Sequence, residues 1–275
     1  MLGFFGPRYG RSPAVMLSGN LVRKRTDPSL CETEAQMTRL AHALGLDTGA
    51  FRSPWVLRSD LSAGIIELEH LPELRTIGQV IREQEDCLEL MYRVGGVLAI
   101  IHGHLDVPPA FRRPVRLPCH LPRHPAAAIH GDFNTMNVCC DASGAIVVLD
   151  WACAKPFGAG STIGPRYLDL ATFLRSLAVH QASLLCAMRH YRDRAMALIE
   201  GYHGQWGRSL DLSVLGQFLL AVNSILRRHP ASCGDLWQNV PYHLAGIVAH
   251  RLFAGIARSW QKGGRQRLHT KAEAA

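Results

Sequence analysis

The chain contains no apolar run long enough to cross a membrane as a helix. Such a span needs about 18–20 apolar residues, and an uncharged stretch such as Leu212 to Leu226 falls short of that. The opening Met1-Leu2-Gly3-Phe4-Phe5-Gly6-Pro7 is too short and too broken by glycine for a signal peptide. With neither feature, the chain reads as cytoplasmic. Its eight cysteines include no C-x-x-C pair and most sit in apolar runs, which fits reduced, buried thiols and argues against a disulfide framework. Cys119, His120 and His124 are neighbours but lack a recognised structural-zinc spacing. Lysine is scarce, with only Lys24, Lys155, Lys262 and Lys271, and no G-x-G-x-x-G phosphate loop is present. No nucleic-acid-binding motif accompanies the basic balance, so no nucleic-acid partner is expected.

What remains is a chain of 275 residues, 48% of them hydrophobic, enough for one large domain or two lobes sharing a cleft. The net charge of +8 is unevenly placed. Residues 1–156 hold 16 basic and 16 acidic side chains, while residues 157–275 hold 14 basic against 6 acidic. Solvated helix faces and the tail from Lys262 to Lys271 account for such a surplus. The same surplus would also attract an anionic small molecule, or support peripheral contact with an anionic membrane through the basic carboxy-terminal part.

The patterning divides the chain. Ala14 to Leu17, a Ser18-Gly19 turn and Asn20 to Lys24 predict a β-hairpin. Glu32 to Leu44 carries apolar residues at helical spacing and predicts a helix stopped by Gly45. Gly64 to Glu69 is a short apolar strand running into a loop at His70 to Glu73. Cys87 to His102 predicts a helix, and a Pro/Arg-rich connector from Pro108 to Pro125 follows. Two short strands, Val138 to Cys140 and Ile146 to Leu149, flank an Asp141-Ala142-Ser143-Gly144 turn. Helices are then predicted over 167–178, 183–202, 212–228 and 242–260. Strands first and helices after imply a bilobal α+β architecture with its ligand in the cleft.

The most informative stretch is Ile129-His130-Gly131-Asp132-Phe133-Asn134-Thr135-Met136-Asn137, followed by Ile146 to Leu149 and Asp150-Trp151. Phosphoryl transfer asks little covalent work of a protein; it needs an aligned hydroxyl and divalent metal on the phosphate oxygens. A loop Asp can orient the hydroxyl or accept its proton. An Asn five residues on and an Asp closing an apolar strand can supply oxygen ligands to Mg²⁺. Asp132, Asn137 and Asp150 fit those three roles.

H-G-D-x-x-x-x-N, a hairpin and a strand ending in D-W resemble the catalytic core of the aminoglycoside phosphotransferase and choline kinase family, small-molecule relatives of protein kinases. Gly131 and Trp151 stand where protein kinases carry the Arg of H-R-D and the Phe of D-F-G. The resemblance implies a protein-kinase-like fold, with residues 1–71 as a small nucleotide-binding lobe and 72–275 as a larger catalytic and acceptor-binding lobe. It implies Asp132 as catalytic base or positioning residue, Asn137 and Asp150 as Mg²⁺ ligands, and ATP or GTP as donor. His130 and Asp169, the latter within Asp169-Leu170-Ala171, would brace the catalytic loop.

By the same resemblance Lys24, at the end of its strand, would pair with nucleotide phosphates and be held by Glu34. The other reading of Lys24 is a strand-end charge beside Arg23 and Arg25, and of Glu34 a solvated helix residue. Glu69-His70-Leu71 would be the hinge that binds the nucleobase, with Glu73 replacing the usual glycine. His102 and His104 read as packing or surface residues. The phosphate-covering strand pair is poorly represented; only Gly3, Gly6 and Gly10 could form a short flap. The function implied is transfer of a γ-phosphate to a hydroxyl of a small molecule, a sugar, sugar derivative or amino alcohol, with the charge of the chain favouring a neutral or anionic acceptor. The basic carboxy-terminal part disfavours an aminoglycoside. The alternative is a catalytically idle kinase-fold protein that binds nucleotide or acts as a scaffold.

Overall fold

A computed structural model describes residues 15–83, 87–179, 184–207, 210–228 and 246–256. Strand β1 (Val15–Ser18) turns through Gly19-Asn20 into β2 (Leu21–Arg25). Gly19 takes φ +61, a conformation only glycine adopts without cost, so the tight turn sits one residue later than expected. β2 pairs antiparallel with β4 (Ile65–Glu69), and β4 with β3 (Val56–Asp60), giving the order β1-β2-β4-β3. Lys24 stands opposite Ile66 in this ladder.

Helix α1 (Pro28–Thr48) packs on one face of the sheet, where Cys31 and Ala35 meet Val56 and Ile66. Asp27 caps it by accepting from Ser29 N–H at 2.9 Å, and Pro28 opens it with a preset φ. The helix does not stop at Gly45. It runs to Gly49, which caps it at φ +63. Gly45 is there for closeness: a Cβ would lie 2.5 Å from the Phe51 carbonyl oxygen.

The larger part is helical. α2 (Ile77–Glu83) leads to α3 (Leu88–His104), and α4 (Tyr167–Val179), α5 (Leu184–Trp206) and α6 (Leu212–Arg228) follow, with 246–256 also helical. The ends predicted for the last helix, and the tail with Lys262 and Lys271, lie outside the described residues, as do Gly3, Gly6 and Gly10. α3 and α5 approach backbone to backbone: a Cβ on Gly95 would meet Leu198 O at 2.0 Å, and one on Gly201 would meet Tyr92 O at 1.8 Å. The main apolar core fills in around them, including Phe133, Trp151, Phe173 and Tyr202.

Between the two parts lie short strands that position the site. β5 (Arg75–Thr76), β7 (Val138–Cys140) and β8 (Ile146–Val148) form one sheet, and β6 (Ala126–Ala128) pairs with β9 (Ile163–Pro165). Arg52 exchanges backbone bonds with Ile146 and Val148 at 2.8 and 2.9 Å, fastening the segment before β3 to β8. Sequence patterning anticipated the β7–β8 hairpin and the bounds of α6; it passed over β3, β5, β6, β9 and α2. No helix among the described residues is long and apolar enough to cross a membrane.

Candidate active site

The loop between β6 and β7 turns at Gly131, which has φ +77. No side chain fits there, since a Cβ would lie 2.6 Å from Cys153 Sγ and 2.9 Å from Cys153 Cα. Burial pushes the Cys153 thiol up to about 12, so it stays protonated and serves as packing.

Asp132, the next residue, is held by two amides. Asn134 Nδ2 and Asn137 Nδ2 each donate to a carboxylate oxygen at 3.0 Å, and both also reach the Asp132 carbonyl. Burial, followed by the charge of Asp150, raises the Asp132 carboxyl to about 7 against the pull of those amides. A carboxylate poised there can take a proton near neutral pH. Asn134 escaped the sequence reading. Its Oδ1 also accepts from Met136 and Asn137 N–H at 2.8 and 3.2 Å, so it shapes the loop and aims Asp132 together.

His130 braces the loop. Its Nε2–H donates to Leu149 O at 2.8 Å while Nδ1 accepts from Asp132 N–H at 3.3 Å, a pattern that requires the neutral ring. Burial holds its pKa below the usual histidine value, in agreement. Asp169, wholly buried in the first turn of α4, accepts from His130 N–H at 2.9 Å and Gly131 N–H at 2.8 Å. Its third partner is His102 Nε2 at 3.0 Å, and His102 Nδ1 meets Tyr202 Oη at 2.9 Å. His102 is therefore a buried partner of the loop brace. No sequence spacing announced that contact, because 67 residues separate it from Asp169.

Lys24, Glu34 and Asp150 come together from β2, α1 and the end of β8. Lys24 Nζ pairs with Glu34 Oε1, and with Asp150 Oδ1 at 2.5 Å. Burial alone would lower the lysine pKa, but the two carboxylates outweigh it and the net shift is upward. Glu34 is buried, which removes its reading as a solvated helix residue. Asp150 is 43% exposed and takes φ +59, a left-handed backbone that costs a non-glycine residue energy. Trp151 anchors that turn: its Nε1 donates to Ser53 Oγ at 2.9 Å and its ring lies against His130 and Phe51.

Asn137 Oδ1 and Asp150 are oxygen donors of the kind Mg²⁺ takes, one carboxylate with neutral oxygens and the rest left to phosphate and water. Asp150 raising Asp132 also marks a place where two carboxylates crowd, which a divalent cation would relieve. Among the described residues there is no group of three or more His, Cys, Asp and Glu side chains able to hold a metal, and Cys119, His120 and His124 form none.

At Glu69–Leu71 the chain leaves the sheet. Glu69 N–H is bonded to Trp55 O at 2.9 Å and His70 N–H to Asn20 O at 3.2 Å, while Leu71 packs on Cys139 and Val147. Glu73 keeps a left-handed φ of +56 although it is not glycine.

No family model and no curated protein sequence matches the chain. Solved structures do. A choline/ethanolamine kinase family protein from Mesorhizobium loti superposes with TM-score 0.53 at 15% identity, covering 89% of each chain. Choline kinase LicA from Streptococcus pneumoniae gives 0.54 at 11% identity over 86% of this chain and 88% of that one. Aminoglycoside phosphotransferase APH(3'')-Id from Streptomyces rimosus, in complex with ADP and streptomycin, gives 0.47 at 15% identity over 75% and 87%. The first two likenesses establish the fold: a small antiparallel sheet and a larger helical part, in the kinase-like arrangement of the choline kinase structures, the same group that the His130–Asp150 motif resembles.

Proposed function

We propose that the chain is a small-molecule kinase that moves the γ-phosphate of ATP or GTP to a hydroxyl. The observation that carries this reading is the ion-pair chain Glu34–Lys24–Asp150, which joins residues up to 126 positions apart and ends beside the Asp132–Asn137 loop. A nucleotide-binding lobe over residues 1–71 would present Lys24, and residues 72–275 the catalytic loop and the acceptor site.

In this reading Asp132 orients the acceptor hydroxyl and takes its proton as the new O–P bond forms and the β–γ bridging bond breaks, releasing the nucleoside diphosphate. Asn134 and Asn137 fix the carboxylate for that task. Lys24, held by Glu34, pairs with phosphate oxygens, and Asn137 with Asp150 hold Mg²⁺, which when bound neutralises charge on the phosphates. Glu69, His70 and Leu71 receive the nucleobase. His130 and Asp169 keep the loop in place. The acceptor is a small hydroxyl compound, neutral or anionic, given the basic surplus of residues 157–275.

The test is transfer from Mg-ATP and Mg-GTP into a panel of sugars, sugar phosphates, amino alcohols and aminoglycosides, read by mass. A product heavier by one phosphate, absent with Asp132→Ala, supports the kinase. Absence of both transfer and nucleotide binding sinks it and leaves an idle scaffold.

A further inference from the structure

The connector after α3 and the segment after Trp151 are laced into one layer. Arg113 O accepts from Thr162 and Ile163 N–H at 2.8 and 3.2 Å, Arg116 N–H donates to Phe157 O at 2.8 Å, and β6 pairs with β9. This layer abuts the catalytic loop: Ala154 N–H reaches Gly131 O at 3.3 Å, and Cys153 lies against Gly131. Consecutive Cα atoms are about 3.8 Å apart, so Lys155 is one step from a residue bonded to the neighbour of Asp132. On its other side the layer meets α1, where a Cβ on Gly160 would touch Leu30 at 2.8 Å.

The charge of this layer is one-sided. Residues 107–131 and 151–168 contain six Lys or Arg and no Asp or Glu. Arg112 is committed to Val107 O at 2.7 Å and Asp106 at 3.4 Å, and Arg166 lies over the Tyr167 and Trp206 rings. Arg113, Arg116, Arg123 and Lys155 are exposed, and among the described residues none of them has a carboxylate within ion-pair distance. Arg113 and Arg116 flank the Gly158–Gly160 turn, with Arg116 Cγ 3.5 Å and Arg113 Nη1 3.4 Å from where Cβ atoms on those glycines would sit. Lys155 also acts on the Asp27 carboxylate at the start of α1. Arg113 and Arg116 lie beside the glycine turn with no carboxylate at ion-pair distance, so cations near a loop that would position a hydroxyl could meet an anion carried by the same molecule.

We infer that the acceptor is an anionic small molecule, a hydroxyl compound bearing a phosphate or carboxylate, and that Arg113, Arg116 and Lys155 bind its anionic group. This rests on the kinase reading for the hydroxyl end only. Arg113 and Arg116 offer planar forks suited to two-oxygen recognition of such a group, and Lys155 adds a point charge.

The test separates the two readings by measuring binding without turnover. Thermal shift is recorded with hexose phosphates, hexuronic acids, neutral hexoses, choline and kanamycin, each with Mg-ADP present. It is repeated for Arg113→Gln, Arg116→Gln, Lys155→Gln and the triple variant, whose unliganded midpoints should stay within about 2 °C of wild type, as expected of exposed positions. The expected result is stabilisation by at least one acidic hexose, with apparent affinity about ten- to hundredfold weaker for each arginine removed. Neutral hexoses should show no such sensitivity. Stabilisation by choline or kanamycin alone, by no acidic compound, or equally in the triple variant would overturn the inference. So would variant-sensitive sedimentation with phosphatidylserine vesicles in place of any small-acid effect. If acidic hexoses bind but the protein neither binds nucleotide nor transfers phosphate, the kinase reading fails and the anion site stands.

Discussion

Replacing Asp169 removes a carboxylate that serves three donors at once. His130 N–H, Gly131 N–H and His102 Nε2 all reach it within 3.0 Å, and none is exposed to water. Each buried donor left without an acceptor costs about 1–3 kcal/mol. Asp169→Ala opens a space that water can partly fill, so the sum falls to about 3–6 kcal/mol, a large share of the ~5–15 kcal/mol that holds a typical protein folded. For a chain of this size that is a drop in melting midpoint of about 10 °C or more. Asp169→Asn is the sharper probe, because it preserves shape but turns an NH₂ group toward groups that are already donors; about 2–3 kcal/mol should be lost. Urea unfolding followed by circular dichroism, compared at matched slopes, reads both values. The same variants should lower kcat for phosphoryl transfer more than they raise KM for nucleotide, since the loop carrying Asp132 is what Asp169 holds. An Asp169→Asn protein within about 0.5 kcal/mol of wild type and equally active would show that this carboxylate does not secure the loop.

Other substitutions follow the same geometry. Gly131→Ala should lose about 2–4 kcal/mol, because φ +77 and the contacts below 3 Å with Cys153 penalise any Cβ, and an unchanged melting curve would contradict that. Lys24→Met leaves the buried Glu34 carboxylate without its cation; stability should fall by about 2–4 kcal/mol and Mg-ATP affinity by tenfold or more by calorimetry, whereas an unaltered titration would remove Lys24 from the site. The raised carboxyl of Asp132 gives a signed pH effect. Unfolded Asp titrates near 3.9 and the folded group at about 7, so between those values the folded state holds the extra proton and stability falls as pH rises. The fall should total about 2–4 kcal/mol in metal-free protein and be missing from Asp132→Asn; parallel pH profiles for the two would refute it. Transfer should also gain with pH toward about 7 as the carboxyl loses its proton.

Local signals in the chain were legible where they were strong. The β1–β2 hairpin, the β7–β8 hairpin and α6 stand on alternation, turn residues and helical spacing that need no partner. α1 was cut short because Gly45 looks like a stop signal, when its role is to admit the Phe51 carbonyl. β6 is three alanines and β5 two residues long, so neither carries a pattern of its own; their pairing with β9 and β7 makes them strands. In the candidate site, the order of Asp132, Asn137 and Asp150 along the chain was readable as a motif, and the structure brings Asn137 onto the Asp132 carboxylate and Asp150 close enough to raise it. Asn134 was visible as a residue but not as the second amide on Asp132. His102 and Tyr202 meet at a sequence separation of 100, and only the packing of α3 on α5 brings them to Asp169.

In the proposed function Lys24, Asp132, Asn137 and Asp150 act as one phosphoryl-transfer centre. The most direct measurement is ³¹P NMR of Mg-ATP with the acidic hexose mixture, comparing wild type with Asp132→Ala. ADP and a new phosphomonoester resonance should rise together in the wild type, with a rate about 10²- to 10⁴-fold lower in the variant. Equal transfer by both proteins, or wild type that neither consumes ATP nor binds it in the presence of Mg²⁺, would contradict it.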